Sequence, residues 1–387
     1  MLGQSQSHRE VSICFVALYS FPAIVDDPTR GRIGGAEVQQ ILIGRNLAQR
    51  GYRVSFITLD HGQEREIEID GMRIIKAYAP NAGIRVLRFL HPRLTHLWRA
   101  MKRADADIYY QRTGGSTTGL VAAFCRQQRK VFVFAAAHDY DCMSDVPYLP
   151  QRHARVLYRY GLKRANLVVA QTRTQQRLLR ESFGVDSVVV PNCAPDHGPS
   201  GNDADAAVPL KDRSLLWVGA FVPVKRPERL LDVAEQLQDL SFDVVGVGDA
   251  QSEYVRRLLS RAQSLPNVRV QGRVPHEQVN QYYRKATALI CTSEAEGFPN
   301  VFLEAWSHGL PVVSTFDPDH VIAEQGIGIA ARDTRDLVSG IRALLGDPHR
   351  WHRASAAARR YYLENHAVDT VIGQLDQALR NVAHAAM

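Results

Sequence analysis

The sequence predicts an α/β protein made of two doubly wound, parallel-sheet domains. Three observations carry this expectation. The chain has 387 residues, and at roughly 100 to 200 residues per domain that length suits two domains rather than one. Short runs rich in Val, Ile and Phe alternate with longer helical patterns, the signature of βαβ units. The runs fall into two series separated by residues 194–212, where Pro, Gly, Ser, Asn and Asp crowd out large apolar residues, as expected of an exposed linker. Composition agrees: 45% hydrophobic and 22% charged residues, with 27 Gly and 18 Pro scattered along the chain, exclude collagen-like, disordered and low-complexity classes.

The first series runs VSICFVAL (11–18), RVSFITL (53–59), MRIIKAY (72–78), DIYYQR (107–112), VFVFAAA (131–137), NLVVAQ (166–171) and SVVVPN (187–192). After the first run, GRIGGAEVQQILIGRNLAQRG (31–51) places Gly34 and Gly35 at the start of an amphipathic helix closed by Gly51. Glycines there let a backbone approach a phosphate, and a helix N-terminus supplies N–H donors, although a tight turn is the plainer reading of a lone pair. The second series runs LLWVGA (215–220), FDVVGVG (242–248), VRVQG (268–272), ALICTS (288–293), PVVSTF (311–316) and IGIAA (327–331), separated by helical stretches such as RPERLLDVAEQLQ and TRDLVSGIRALL. Gly246 and Gly248 follow a strand, but Gln251 stands where a third small residue should be, so a nicotinamide-binding fingerprint is not supported.

Two such domains form a cleft, and in open α/β sheets ligands bind beyond the carboxyl ends of the strands. Lys225 lies just past a strand end and before a helix that Pro227 initiates, a position that suits a diphosphate. In TSEAEGFPNVFLEAWSHGLPVVST (292–315), Gly297 and Pro299 open a helix, Glu296 precedes it and Glu304 is expected about two turns inside. At 1.5 Å per residue the two carboxylates would lie roughly 10 Å apart along that axis. This is too far for a shared-proton dyad and suits two ends of one extended polyhydroxylated ligand. As isolated residues, both glutamates would be ordinary solvated side chains.

The formal charge of +7 is unevenly spread: up to Ala207 there are 27 Lys and Arg against 19 Asp and Glu, a net of +8, and beyond it 20 against 21, a net of −1. Residues 84–103 carry six Lys or Arg and no acid, with Leu87, Leu90, Leu94, Leu97, Trp98 and Met101 at helical spacing. Residues 146–180 add eight more cations, again without an acid. Two readings stand: a core-facing helix with a solvated basic face, or attachment to an anionic membrane with Trp98 and the leucines dipping into the interface. Nucleic acid is not expected as a partner, because no nucleic-acid-reading motif accompanies the charge. The five cysteines are widely spaced without a C-x-x-C, which points to a reducing compartment and no zinc knuckle. The apolar run 11–25 is not read as a signal peptide, since Glu10 precedes it, Pro22 interrupts it and Asp26-Asp27 follows. No run approaches the ~20 apolar residues of a bilayer span, so a cytoplasmic location is expected, with a peripheral position on the inner face of the membrane as the alternative.

The strings VGAFVPVKRPERLL, VVGVGD, VRVQGRVPHEQVNQYYRKATALICTSEAEGFPNVFLEAWSHGLPVV, GGAEVQ, HDYD and VVVPN resemble those of family 4 retaining glycosyltransferases (group 1), over nearly the whole chain. The Glu-x7-Glu motif is the specific part. The resemblance implies a GT-B fold of two Rossmann-like domains facing across a cleft. The N-terminal, acceptor-binding domain would span 1–198 and be completed by a C-terminal helix at about 366–387, and the nucleotide-sugar domain would span 209–365. It implies transfer of a sugar from a nucleoside-diphosphate sugar to a glycan or lipid-linked hydroxyl acceptor, with retention and with neither metal nor cofactor.

By resemblance, His138, Lys225 and Glu296 are the catalytic residues: His138 touches the sugar, Lys225 holds the diphosphate and Glu296 takes the sugar hydroxyls. Glu304 takes the ribose hydroxyls. Gly34 and the Gly35 amide reach the phosphate, with the amides of Phe298, Asn300 and Val301 beside Gly297. Gly248, Arg226 and Arg273 join the donor-binding set.

One departure stands out. Ala220 occupies the place of the family's usual arginine after Gly219, leaving Arg226 or Arg112 to supply the second cation. A GT-B nucleotide-sugar epimerase and a non-catalytic nucleotide-sugar-binding subunit are the alternative functions. The D-x-D at Asp139 and Asp141 recurs at 105/107, 203/205 and 317/319, and is therefore read as noise rather than a metal motif. His349 and His352 have no accompanying ligand, so no metal is expected there either.

Overall fold

The computed structural model describes residues 11–27, 29, 33–83, 89–198, 214–246 and 248–386. The chain divides into two compact units, Met1–Val190 with Ile372–Met387, and Pro191–Val371. Most of the predicted linker, residues 199–212, lies outside the described residues.

In the first unit β1 (Ser12–Val16) leads to a short α1 (Phe21–Ile24), α2 (Gly35–Gln49) and β2 (Arg53–Thr58). A hairpin of β3 (Glu66–Ile69) and β4 (Met72–Lys76) follows, then α3 (Thr95–Ala104), β5 (Ile108–Arg112), α4 (Ser116–Gln128) and β6 (Val131–Ala135). The unit continues through α5 (Arg152–Arg164), β7 (Leu167–Ala170), α6 (Arg173–Phe183) and β8 (Val188–Val189). The sheet order is β3-β4-β2-β1-β5-β6-β7-β8, parallel except for the β3/β4 pair. Both faces of β1, β5 and β6 are buried along their whole length, which is why these runs are continuously apolar instead of alternating. Of the apolar run 11–25, Ser12–Val16 form this interior strand and Phe21–Ile24 the short α1.

The second unit holds β9 (Ser214–Val218), α7 (Pro227–Gln236), β10 (Phe242–Val245), α8 (Glu253–Gln263), β11 (Val268–Gly272) and α9 (His276–Lys285). Beyond these come β12 (Ala286–Cys291), α10 (Asn300–Ser307), β13 (Val312–Ser314), α11 (Val321–Gln325), β14 (Gly328–Ala330), α12 (Thr334–Leu345) and α13 (Pro348–Asn365). Its sheet is parallel, in the order β11-β10-β9-β12-β13-β14. Asp333 and Asp347 cap α12 and α13 by accepting from the amides of Asp336 and Arg350.

The unit boundaries differ from those expected at 198 and 366, for a physical reason. Residues just past β8 are bonded to the end of α13: Ala194 N donates to His366 O at 3.2 Å, the Tyr362 hydroxyl to Ala194 O at 2.8 Å, and the His366 ring to Asn192 O at 2.8 Å. These bonds anchor 191–198 and the residues up to 371 in the second unit. The last helix, α14 (Val368–Ala386), starts there and runs into the first unit, where Asp376 accepts from Tyr52 at 2.5 Å.

In the basic segment 84–103 the regular helix is shorter than the spacing suggests. Residues 84–88 lie outside the described residues, His91 is extended (φ −138°), and regular helix begins only at Thr95. Leu97 and Met101 are buried, and Trp98 packs edge-on against Phe124, with ring centroids 5.1 Å apart. This part of the apolar stripe faces the core, with Trp98 half-buried against it. What remains outside is charge, at Arg99 and Lys102.

Candidate active site

Each sheet reverses its winding direction at one point, between β1 and β5 in the first unit and between β9 and β12 in the second. Loops leaving the carboxyl ends of strands at such a point border a crevice where ligands bind. In the second unit these are the loops after β9 and β12, which carry Lys225 and Glu296.

The two loops are stitched together. Thr292 donates its hydroxyl to Lys225 O at 2.8 Å and accepts from the Trp217 indole at 3.1 Å, while Glu294 N donates to Val224 O at 2.9 Å. Within this frame the Lys225 ammonium is paired with the Glu296 carboxylate. The lysine side chain keeps 26% of its exposure and the glutamate 13%. Arg226, left-handed at φ 48°, turns its guanidinium to Glu228 at 2.7 Å and Glu294 at 3.2 Å, so it faces two carboxylates in place of a diphosphate.

Past Glu296, the buried Gly297, Phe298 and Pro299 lead into α10, which opens at Asn300 with no capping side chain. A helix start of this kind presents backbone N–H groups, that of Val301 among them, to an anion. Asn192 braces this turn, its side-chain amide donating to Phe298 O at 3.2 Å and Asn300 Oδ1 at 3.0 Å. Glu304 sits one turn inside α10, not two, because the helix starts at Asn300 rather than at Gly297. The helical rise therefore applies only to residues 300–304, about 6 Å of the path between the two glutamates. The Glu304 carboxylate accepts from the Tyr283 phenol at 2.7 Å.

Gly248 has a packing role: a Cβ there would stand 2.5 Å from Val255 Cγ2 and 2.9 Å from Phe221 Cβ. Gly246 (φ 140°) approaches Gly219 so closely that a Cβ would meet its carbonyl oxygen at 1.8 Å. Arg273 is exposed immediately after β11, at the edge of the sheet and two strands away from β9.

In the first unit Gly34 is the extended N-cap of α2, and Gly35 is its first residue. With Tyr19, Pro22, Ala36, Glu37 and His61 they line a pocket of about 360 Å³ beyond the end of β1. The Glu37 carboxylate folds back over Gly34, where a Cβ would stand 2.5 Å from it, so the positive end of α2 already faces an acid.

His138 caps the short turn 139–142 after β6. Its Nδ1 accepts from Tyr140 N at 3.2 Å, and its ring stacks on Tyr140 at 4.4 Å. Neutral His138 therefore carries its proton on Nε2, as a donor. Asp141, fully buried, fixes the turn: Oδ2 accepts from Ala137 N (2.7 Å) and His138 N (3.0 Å), and Oδ1 from Gly114 N (2.8 Å) and the Tyr148 hydroxyl. Asp139 accepts from Gln175 at 3.0 Å. The D-x-D pair is thus a structural latch, and among the described residues no group of three or more His, Cys, Asp or Glu is placed to hold a metal. The Arg112 side chain, at the end of β5, is largely buried.

Sequence reasoning missed the parts played by Asn192, Tyr283, Asp141 and Tyr19. Asn192 and Asp141 lie inside strings singled out for resemblance, which is a usable signal. Tyr283 lies inside one as well, in QYYR, whereas Tyr19 carries no such signal.

Comparison with known proteins bears on both units. Residues 33–196 match the family model described as Glycosyltransferase Family 4, and residues 212–347 match that described as Glycosyl transferases group 1. A D-inositol 3-phosphate glycosyltransferase of Thermobifida fusca is 25% identical over 99% of this chain and 96% of its own length. Among solved structures, sucrose-phosphate synthase of Thermosynechococcus elongatus superposes with a TM-score of 0.78 at 20% identity, covering 97% of this chain and 100% of the other. HepE of Anabaena, solved in complex with UDP-glucose, gives 0.74 at 18% identity, covering 96% and 100%. With each unit matched by its own model and the fold shared with these enzymes, the chain belongs to the family 4 (group 1) glycosyltransferases of GT-B fold.

Proposed function

We propose that this glycosyltransferase takes a nucleoside-diphosphate sugar in its second unit and transfers the sugar, with retention and without a metal, to a hydroxyl of a glycan or lipid-linked acceptor held by the first. The observation that carries the reading is the meeting of Lys225 and Glu296 from the two switch-point loops, beside the uncapped start of α10. A diphosphate there gains the Lys225 charge and the amides of Phe298, Asn300 and Val301, electrostatic support that counts most as negative charge develops on the leaving group. Glu304 accepts ribose hydroxyls, Glu296 accepts hydroxyls of the transferred sugar, and His138 donates through Nε2 to that sugar.

The reaction proposed is a front-face displacement, in which the Glu296 carboxylate holds sugar hydroxyls and does not attack the anomeric carbon. The bond from the anomeric carbon to the diphosphate oxygen breaks, the acceptor oxygen bonds to the same face, and the acceptor proton passes to the departing phosphate oxygen. A phosphate reaching the Gly35 amide requires Glu37 to swing aside.

UDP-glucose, bound by HepE, is the first donor to try. The test is transfer from labelled UDP-, GDP- and ADP-sugars to acceptors in a cell-derived lipid and glycan extract. A product with the donor's anomeric configuration, formed in the presence of a chelator, supports the reading; inversion of that configuration or dependence on a metal overturns it.

The location proposed is cytoplasmic and peripheral. No helix among the described residues is long and apolar enough to cross a membrane, and the exposed Arg152, Arg159, Lys163 and Arg164 of α5 offer charge to an anionic surface. Salt-sensitive co-sedimentation with anionic vesicles would support this; its absence at low salt would remove it.

A further inference from the structure

Within α10, the flanking residues Phe302, Leu303, Ala305 and Trp306 are completely buried, and Glu304 is the one acid of the segment NVFLEAWS. Its carboxylate is tied to a residue outside the motif. The Tyr283 phenol, 21 residues earlier on α9, donates to Glu304 Oε2 at 2.7 Å, and Tyr283 itself is only 2% exposed. The phenol ring has little freedom to move. It stacks on His308 (centroids 5.7 Å, interplanar angle 13°), which stacks in turn on His197 (5.8 Å, 14°) and reaches Asn280 Oδ1 through Nε2 at 3.3 Å.

We propose that Tyr283 is the positioning residue that makes the donor site selective for ribonucleotides, by fixing the rotation of the Glu304 carboxylate so that it accepts the ribose hydroxyls. The inference rests on the donor reading above, in which Glu304 faces the ribose. A glutamate side chain has three rotatable bonds, and a carboxylate free to turn loses part of the gain from a hydroxyl in ordering itself. Tyr283 supplies that order in advance, from a second helix. Burial and the neighbouring Glu304 charge push its hydroxyl far above the ordinary tyrosine range, so it remains a donor at any working pH.

The test compares wild type, Tyr283→Phe and Glu304→Gln by calorimetry. The probes are whichever of UDP, GDP and ADP binds the wild type, and the 2′,3′-dideoxy analogue of that nucleotide. Wild type should prefer the ribonucleotide by about tenfold or more, and Glu304→Gln should lose most of that preference. Tyr283→Phe should bind the ribonucleotide about three- to tenfold more weakly while binding the dideoxy analogue within about twofold of wild type. Intact dideoxy binding also certifies that the variant is folded.

Equal losses for both nucleotides in Tyr283→Phe would make the residue merely structural, and no loss would make it dispensable; either overturns the proposal. A Glu304→Gln variant that keeps the full ribose preference, or a wild type that binds none of the three nucleotides, would instead overturn the donor reading on which it rests.

Discussion

Replacing Glu296 with glutamine removes the charge that neutralises Lys225 while keeping a side chain of nearly the same shape. The two charged groups are in direct contact and mostly shielded, with 26% and 13% of their side-chain surface exposed. Two unit charges ~4 Å apart attract by about 4 kcal/mol at an effective dielectric constant of about 20. Desolvation and side-chain ordering cancel most of this, leaving a net of about 1 kcal/mol. In the variant that amount becomes available to a bound phosphate, so a nucleoside diphosphate should bind about fivefold more tightly. The intact nucleotide sugar gains the same amount but loses the charged acceptor for its sugar hydroxyls, about 1.5 to 3 kcal/mol. It should therefore bind roughly two- to thirtyfold more weakly, with turnover falling as well. Titration calorimetry with both ligands reads the opposite signs directly. Weaker binding of the nucleoside diphosphate, or equal losses for the two ligands, would refute the roles given to this pair.

Other outcomes follow from the same geometry. Lys225→Ala should leave the chain folded and reduce turnover by at least about thirtyfold, the equivalent of ~2 kcal/mol of leaving-group stabilisation; wild-type kinetics would remove the lysine from the site. Asp141→Asn turns an NH2 toward one of the two pairs of donors that the carboxylate now satisfies, and should cost about 3 kcal/mol, seen as a thermal midpoint lower by about 5 °C or more. The His366 ring donates from Nδ1 to Asn192 O, and its buried Nε2 meets no partner among the described residues, so burial holds its pKa down at about 4, below the ordinary imidazole value of 6.5. Between those two values the unfolded chain binds the extra proton and the folded chain does not, so stability is lost as pH falls through that window, by about 3 kcal/mol for this residue. Denaturant titrations from pH 7 to pH 4 should show the decline, and His366→Phe should make it shallower, leaving the share of His308, which burial also holds down at about 4; an unchanged pH slope in that variant would assign the effect elsewhere.

The strands were legible because both faces of a parallel sheet are buried: SICFV, VFVFA and ATALIC are buried along their whole length and are mostly apolar. The strand with no such signal, Glu66–Ile69, is antiparallel, lies at the sheet edge and has no fully buried residue, so EIEI reads as a polar connection. Residues 84–103 look amphipathic, and of the two readings open to that pattern the core-facing one describes Leu97 and Met101, which are buried beside Trp98 and Phe124. Lys225 and Glu296 were each visible as residues just past a strand, whereas their pairing, 71 residues apart, depends on β9 and β12 being neighbours, which is a property of strand order. Tyr283 reads as one more core aromatic until its hydroxyl is followed to Glu304. Gly248 has a packing reason the sequence does not show, the closeness of Val255 and Phe221.

The central claim is that the second unit binds a nucleotide sugar through Glu304 and Lys225. It is tested most directly by thermal unfolding of wild type and Glu304→Gln in the presence of UDP-, GDP- and ADP-sugars. A ligand that binds only the folded state at a hundred times its dissociation constant adds about 2.7 kcal/mol of stability. The account predicts that one nucleotide series raises the wild-type midpoint, and that the rise shrinks or disappears in the glutamine variant. No shift with any of the three series, or an equal shift in both proteins, would contradict it.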